Sequence, residues 1–178
     1  MKFFLFIFLV FLNIGCSNIP TKAWKEIKEP EIFLNLSPGD IIIKEKEYNL
    51  LGIFGHAGIM MTERLIVDYP KLGAGISVMD INLWLEKERR FIILKFNDKD
   101  ELFEKKLLKN LQEYISYDKK YKVFINKRNE SGFYCSQFIW YIYYKTGLDT
   151  GKTIDIDSNG GIFVLPYDFI MSNKFYIN

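Results

Sequence analysis

The chain has 178 residues, 24 basic and 22 acidic side chains, and a hydrophobic content of 49%. The near balance of charge argues against a nucleic-acid partner, which requires a concentrated basic surface. One histidine and two cysteines cannot complete a closed zinc site, so we expect no metal and no cofactor.

The N-terminus resembles a bacterial lipoprotein signal peptide. An apolar run from Phe3 to Leu12 follows a single lysine, and Gly15 precedes Cys16. The run is too short for a membrane span, which needs about 20 apolar residues. The alternative is a plain secretory signal with an incidental cysteine. We expect residues 1–15 to be removed, and lipidated Cys16 to attach the protein to a membrane of the bacterial cell envelope, facing the periplasm or the exterior.

Residues 16–36 are predicted to form the lipidated N-terminus and a tether, because polar and charged residues alternate there with two prolines. A turn over residues 37–40 then begins a domain that extends to residue 178. Strands are predicted over residues 41–43, 55–61 and 65–69, the last two as a hairpin. In the second of these strands His56, Gly58 and Met60 share one face. A glycine inside a strand often indicates the close approach of another group.

The remaining pattern predicts both helices and strands. Residues 73–79 form a looser segment, residues 81–88 a short helix and residues 90–96 a strand. Apolar residues at helical spacing predict a long helix over residues 99–117, and a second helix runs from Cys135 to Lys145 and ends at Gly147. A last strand is predicted over residues 163–165. This order of elements indicates the α+β class.

Cys135 is left without a disulfide partner once Cys16 carries lipid. An unpaired cysteine is either an inert core residue or a nucleophile. The predicted helix begins at Cys135, and a helix N-terminus lowers the pKa of a thiol. Backbone N–H groups at that position can also hold a developing oxyanion.

A thiolate nucleophile needs a base, and His56 is the only histidine in the chain. The base in turn needs an acceptor that orients it. Asp68 lies in the strand predicted to pair with the His56 strand, in an apolar stretch where a carboxylate is costly to bury alone. Cys135, His56 and Asp68 therefore form a candidate nucleophile, base and orienting group. Considered singly, His56 also fits a packed or surface histidine, and Asp68 also fits a residue at the end of a strand.

Five short segments in this order also resemble one known family. They are Gly39-Asp40-Ile41-Ile42, His56-Ala57-Gly58-Ile59, Ile66-Val67-Asp68-Tyr69-Pro70, Tyr117-Asp118 and Tyr134-Cys135-Ser136-Gln137. The order is similar to the circularly permuted branch of the NlpC-type papain-like superfamily, the YiiX-like hydrolases. The resemblance implies a permuted papain-like fold, with a small antiparallel barrel-like sheet packed against helices and a Cys–His–polar triad without metal.

The resemblance assigns Cys135 as the nucleophile and His56 as the base. Asp68 falls where the family usually has a glutamate, whose side chain is one methylene longer. Tyr48, Tyr117 and Tyr134 lie near the motifs and are candidates for an oxyanion or substrate hydroxyl.

Three functions fit the sequence. The first is a membrane-anchored cysteine hydrolase that cleaves amide bonds, with cell-wall peptides as the substrate that the resemblance implies. The second is a lipid-directed acyltransferase or hydrolase with the same triad. The third is a non-catalytic surface lipoprotein on this scaffold. The expected partners are a peptide or acylated substrate and the membrane; the sequence leaves the oligomeric state open.

Overall fold

The computed structural model describes residues 23–26, 35–47, 54–85, 90–117 and 119–178. These residues form six strands and four helices. The strands are β1 (Ile41–Lys44), β2 (His56–Met60), β3 (Leu65–Asp68), β4 (Ser77–Asp80), β5 (Phe91–Phe96) and β6 (Phe175–Ile177). The helices are α1 (Ile81–Trp84), α2 (Glu101–Ile115), α3 (Cys135–Asp149) and α4 (Pro166–Met171). The α+β class predicted from the sequence is confirmed.

The strands form one antiparallel sheet in the order β4-β3-β2-β1-β5-β6. One of its two central strands is β1, whose β-branched residues favour a strand that is buried on both faces. Lys44, the last residue of β1, pairs with His56 of β2 and with Phe91 of β5. These three residues and Asp68, which ends β3, mark one end of the sheet, called the His56 end below.

Helices cover one face of the sheet, and α1 covers part of the other. On the first face, Ala57 and Ile59 of β2 pack among the apolar side chains of α2 and α3. On the second face, Met60 and Ile66 pack against Trp84 of α1. The alternation predicted for β2 is therefore present, and it places His56 and Gly58 on the side of Trp84.

Two segments differ from the sequence prediction. Ser77–Asp80, predicted to be loosely structured, is the edge strand β4. The strand predicted over residues 163–165 is absent, because side chains satisfy the backbone of Val164. Its N–H donates to the Tyr134 hydroxyl at 2.9 Å, and its carbonyl accepts from the Ser136 hydroxyl at 2.7 Å. The last strand is instead β6, after α4.

The helix boundaries also differ. Asp100 caps α2, its carboxylate accepting from the N–H of Phe103 at 2.7 Å. The cysteine helix α3 continues past Gly147 to Asp149. Gly147 does not end the helix; its missing side chain makes room for the following chain, since a Cβ there would lie 2.7 Å from the carbonyl oxygen of Lys152. Among the described helices, none is long and apolar enough to cross a membrane.

Candidate active site

Cys135 is the first residue of α3 and follows an extended residue, Tyr134, at the helix N-cap. Its thiol is free and 7% exposed. Backbone N–H groups of Ala57 and Ser136 lower the pKa of the thiol. The start of α3 thus provides the electropositive surroundings that favour a thiolate.

His56 is brought to Cys135 by the packing of α3 against β2. Each side chain shifts the pKa of the other through its charge and hydrogen bonding, so the two lie side by side. The Nε2 atom of the imidazole lies 2.7 Å from Oδ2 of Asp68. Because Nε2 is engaged by Asp68, the other ring nitrogen, Nδ1, is the one available to the thiol.

Asp68 is 2% exposed and its carboxylate faces His56. An aspartate side chain is one methylene shorter than the glutamate that the resemblance implies at this position. The Oδ2–Nε2 distance of 2.7 Å shows that its side chain reaches the imidazole. The second oxygen, Oδ1, is buried without a hydrogen-bond partner among the described residues. The hydrogen bonds of this carboxylate are therefore made through Oδ2.

Trp84 is a site residue that the sequence analysis missed. Its indole Nε1 donates to Oδ2 of Asp68 at 2.7 Å, and its ring stacks on His56 with 5.6 Å between centroids. The ammonium of Lys44 lies 4.1 Å from the centre of the same ring. Gly58 allows this approach, because a Cβ there would lie 3.1 Å from the Trp84 ring. In the sequence, a glycine inside the predicted strand indicated that another group approaches there. It did not identify that group as Trp84.

The protonation states of Cys135 and His56 are coupled. Burial, the largest influence, raises the pKa of the Cys135 thiol, but the charge and hydrogen bond of His56 outweigh it and the net pKa is lowered. Burial lowers the pKa of His56, and the negative Cys135 and hydrogen bonds to Asp68 and Cys135 raise it to about 9. The site therefore favours a thiolate–imidazolium pair.

The three tyrosines chosen from the sequence have different positions. Tyr134 precedes Cys135, but its hydroxyl accepts from Val164, which gives it a structural contact. Tyr117 is 40% exposed, and its hydroxyl donates to Glu113, one turn earlier on α2, at 3.0 Å. Tyr48 lies outside the described residues, as do Cys16 and the signal peptide.

Tyr121 is a further neighbour of the thiol that the sequence analysis did not select. Burial first, and the negative Cys135 second, raise the pKa of its hydroxyl to about 12, so the phenol stays protonated at neutral pH. Its backbone forms a bridge with Phe133, two residues before Cys135. The charge of Cys135 thus acts on the Tyr121 hydroxyl, which makes Tyr121 a candidate hydroxyl donor.

The described chain is thus an α+β domain in which a helix presents a cysteine to a histidine strand. No protein-family model and no curated protein matches the chain. Among solved structures it is similar to metalloprotein yiiX from Escherichia coli O157:H7, with a TM-score of 0.57 and 12% identity. The match covers 80% of this chain and 96% of that chain. At this identity the likeness shows a shared fold, the one expected from the sequence.

The yiiX structure is described as that of a metalloprotein. Over the described ranges, no three His, Cys, Asp or Glu side chains are placed to hold one ion. The imidazole Nε2 already contacts Asp68, and the thiol contacts the imidazole. These residues are engaged with each other and do not fit a metal ion.

Proposed function

We propose that the protein is a membrane-anchored cysteine hydrolase that cleaves amide bonds through Cys135, His56 and Asp68. The observation that carries the proposal is the continuous chain of contacts from the sulfur of Cys135 through His56 to Asp68 Oδ2. A nucleophile, a base and an orienting carboxylate in hydrogen-bond contact are what covalent acyl transfer requires.

In the first half-reaction the Cys135 thiolate attacks the carbonyl carbon of the scissile amide, and the carbonyl π electrons move to oxygen. Backbone N–H groups at the start of α3 and the Tyr121 hydroxyl stabilise that oxyanion. The His56 imidazolium donates its Nδ1 proton to the leaving nitrogen as the C–N bond breaks. The products are a thioester on Cys135, a free amine and a neutral imidazole.

In the second half-reaction the neutral His56 accepts a proton from water, and the oxygen of that water attacks the thioester carbonyl. The C–S bond breaks, and the electron pair returns to sulfur as the thiolate. His56 becomes an imidazolium again, so the starting ion pair is restored. Asp68 holds Nε2 throughout, which keeps Nδ1 directed at the reacting atoms.

Cell-wall peptides are the proposed substrate. The support is the expected lipid attachment of Cys16 in the cell envelope together with a fold shared with yiiX.

The first experiment measures the rate of Cys135 alkylation by iodoacetamide between pH 5 and about pH 9 (a window around the free-thiol pKa of about 8.5). We expect fast labelling well below pH 8.5 in the wild type and slow labelling in His56→Ala. Hydroxylamine trapping of an acyl-enzyme formed from cell-wall peptides then tests turnover. Slow labelling in both proteins would contradict the proposal and favour the non-catalytic lipoprotein.

A second candidate function is a lipid-directed acyltransferase or hydrolase with the same residues. Exposed apolar side chains around the site favour it: Phe54, which lies two residues before His56, is 55% exposed, and Val123, two residues after Tyr121, is also 55% exposed. Release of fatty acid from phospholipid vesicles, absent in Cys135→Ala, would support this candidate. Turnover of cell-wall peptides without fatty-acid release would exclude it in favour of the amidase.

A further inference from the structure

A loop beside the site combines basic and exposed apolar side chains. Residues 119–128 contain five Lys or Arg residues and no Asp or Glu. Between these charges, Val123 is 55% and Ile125 75% exposed. Lys119 and Lys127 have acidic neighbours, Glu130 and Asp157. A segment of this composition is typical of a surface that contacts the headgroup region of an anionic membrane.

This loop is joined to a second one with the same character. The N–H of Tyr121 donates to the carbonyl of Ala74 at 2.6 Å, and Gly75 forms a backbone bridge with Lys120. The second loop contains Lys71 and Leu72, the latter 74% exposed. Residues 70–73 and 119–128 are together called the basic loop face below.

The basic loop face continues into the candidate active site. The N–H of Lys122 donates to the carbonyl of Phe133 at 3.0 Å, and Phe133 leads through Tyr134 into Cys135. The segment 70–73 follows Asp68 after one intervening residue, Tyr69. The face therefore lies at the His56 end of the sheet, beside the reacting groups.

The N-terminal tether reaches the same end. Lys25 forms two backbone hydrogen bonds with Phe91, of 2.8 and 3.0 Å. Trp24 lies 6.0 Å from the ring of Tyr167, and Tyr167 packs against Gly55, the residue before His56. Trp24 is the eighth residue after Cys16, a reach of at most about 28 Å. A lipid on Cys16 would thus hold the membrane close to the His56 end.

We propose that the basic loop face docks on the anionic surface of the bilayer and holds the active-site opening at the headgroups. Three observations indicate that a membrane is the partner of this face. They are the positive charge of the loops, their exposed apolar side chains and the point where the tether joins the domain. Docking is independent of catalysis, so it can be measured on a chain without the nucleophile.

The test uses the full chain with Cys135→Ala, reconstituted in phospholipid vesicles. An environment-sensitive nitrobenzoxadiazole label is placed at Ile125→Cys, or for comparison at Leu148→Cys. Leu148 is 60% exposed near the far end of α3, about 20 Å along the helix from Cys135. The Cys135→Ala chain without an added cysteine supplies the background. Vesicles of phosphatidylcholine are compared with vesicles that also contain phosphatidylglycerol, at low and high salt.

We expect a blue-shifted, brighter label at position 125 on anionic vesicles at low salt, and an aqueous label at position 148. Lys71→Gln with Lys122→Gln should shift the ratio of docked to undocked protein by about 30-fold, since each basic residue near an anionic surface contributes about a factor of five. Lys105→Gln with Lys109→Gln, on α2, makes the same charge change away from the face and should leave the ratio unchanged.

Three results would overturn the proposal. The first is the same aqueous emission at both labelled positions. The second is a signal at position 125 that is equal on neutral vesicles and insensitive to salt. The third is the same change produced by soluble polyglutamate without vesicles, which would assign the face to an acidic polymer.

Discussion

The indole nitrogen of Trp84 and the imidazole of His56 share one acceptor, Oδ2 of Asp68, and each lies 2.7 Å from it. Trp84 comes from α1 and His56 from β2, so the carboxylate joins two elements of the structure. The Trp84 ring also stacks on His56. We therefore assign Trp84 as a positioning residue, which acts through Asp68 and His56.

Trp84→Phe tests this role, because it keeps an aromatic ring and removes the indole donor together with part of the ring system. Loss of a buried hydrogen bond to a charged acceptor costs about 1.5–3 kcal/mol. We expect the alkylation rate of Cys135 at neutral pH to fall by about ten-fold, as Asp68 holds His56 less well. The measurement is iodoacetamide labelling across pH, together with urea unfolding.

Trp140→Phe is the matched control. Trp140 is also buried, and its indole donates to Asp155 at 2.8 Å. We expect a comparable loss of stability from this change and no change in Cys135 labelling. Equal labelling losses in the two variants would mean that both act through general destabilisation, and Trp84 would lose its assigned role.

The second prediction concerns the pKa of His56, the only histidine and therefore an unambiguous NMR signal. The negative Cys135 stabilises the imidazolium, and the pKa is raised to about 9 despite burial, which acts in the opposite direction. In Cys135→Ala the negative charge is gone and the effect of burial remains. The pKa of His56 should therefore be more than about one unit lower than in the wild type. A pKa that is the same in both proteins would show that the thiolate does not lie beside the ring.

The same coupling gives the pH dependence of hydrolysis a definite sign. The imidazolium must donate a proton to the leaving nitrogen, so activity should fall as pH rises through about 9 and His56 becomes neutral. At acid pH, activity should fall as the Cys135 thiolate is protonated. Initial rates on a peptide substrate measure both limbs. An alkaline limb that persists in Asp68→Asn at the same pH would contradict the contribution of Asp68.

The sequence predicted those parts of the site that depend on local chemistry and strand pairing. Cys135 was placed at a helix start because an apolar pattern follows it, and His56 and Asp68 were assigned to paired strands. Both features are set by residues close in the chain. The close approach of these three side chains follows from the packing of α3 on β2.

What the sequence did not predict depends on contacts between distant segments. Trp84 reaches Asp68 across the face of the sheet because Gly58 leaves space, and no local pattern encodes that pairing. The segment around Val164 looked like a strand because it is apolar. Its backbone is instead hydrogen-bonded to the side chains of Tyr134 and Ser136, about 30 residues earlier in the chain.

Gly55→Ala tests how the chain enters the His56 strand. Gly55 has φ +74°, and a Cβ would lie 2.9 Å from both the Lys44 carbonyl oxygen and the Tyr167 ring. We expect a loss of more than about 1 kcal/mol in unfolding free energy, with slower Cys135 labelling because His56 is displaced.

Gly73→Ala separates backbone strain from crowding. Gly73 has φ +80°, but a Cβ there would meet nothing within 4 Å among the described residues. This variant should lose only about 1 kcal/mol of unfolding free energy, because alanine is strained at a positive φ. It should keep the wild-type rate of Cys135 labelling. A Gly55→Ala protein that labels like Gly73→Ala would show that the contact with Tyr167 does not position His56.

The last prediction separates two tyrosines near the nucleophile. Tyr134→Phe leaves the N–H of buried Val164 without its acceptor, which costs about 1–3 kcal/mol in unfolding free energy. Tyr121→Phe should change stability little but lower turnover by about 100-fold, the effect of losing one oxyanion donor. Alkylation of Cys135 forms no oxyanion, so its rate should be unchanged in both variants. Equal turnover in wild type and Tyr121→Phe would leave the backbone N–H groups at the start of α3 as the oxyanion donors.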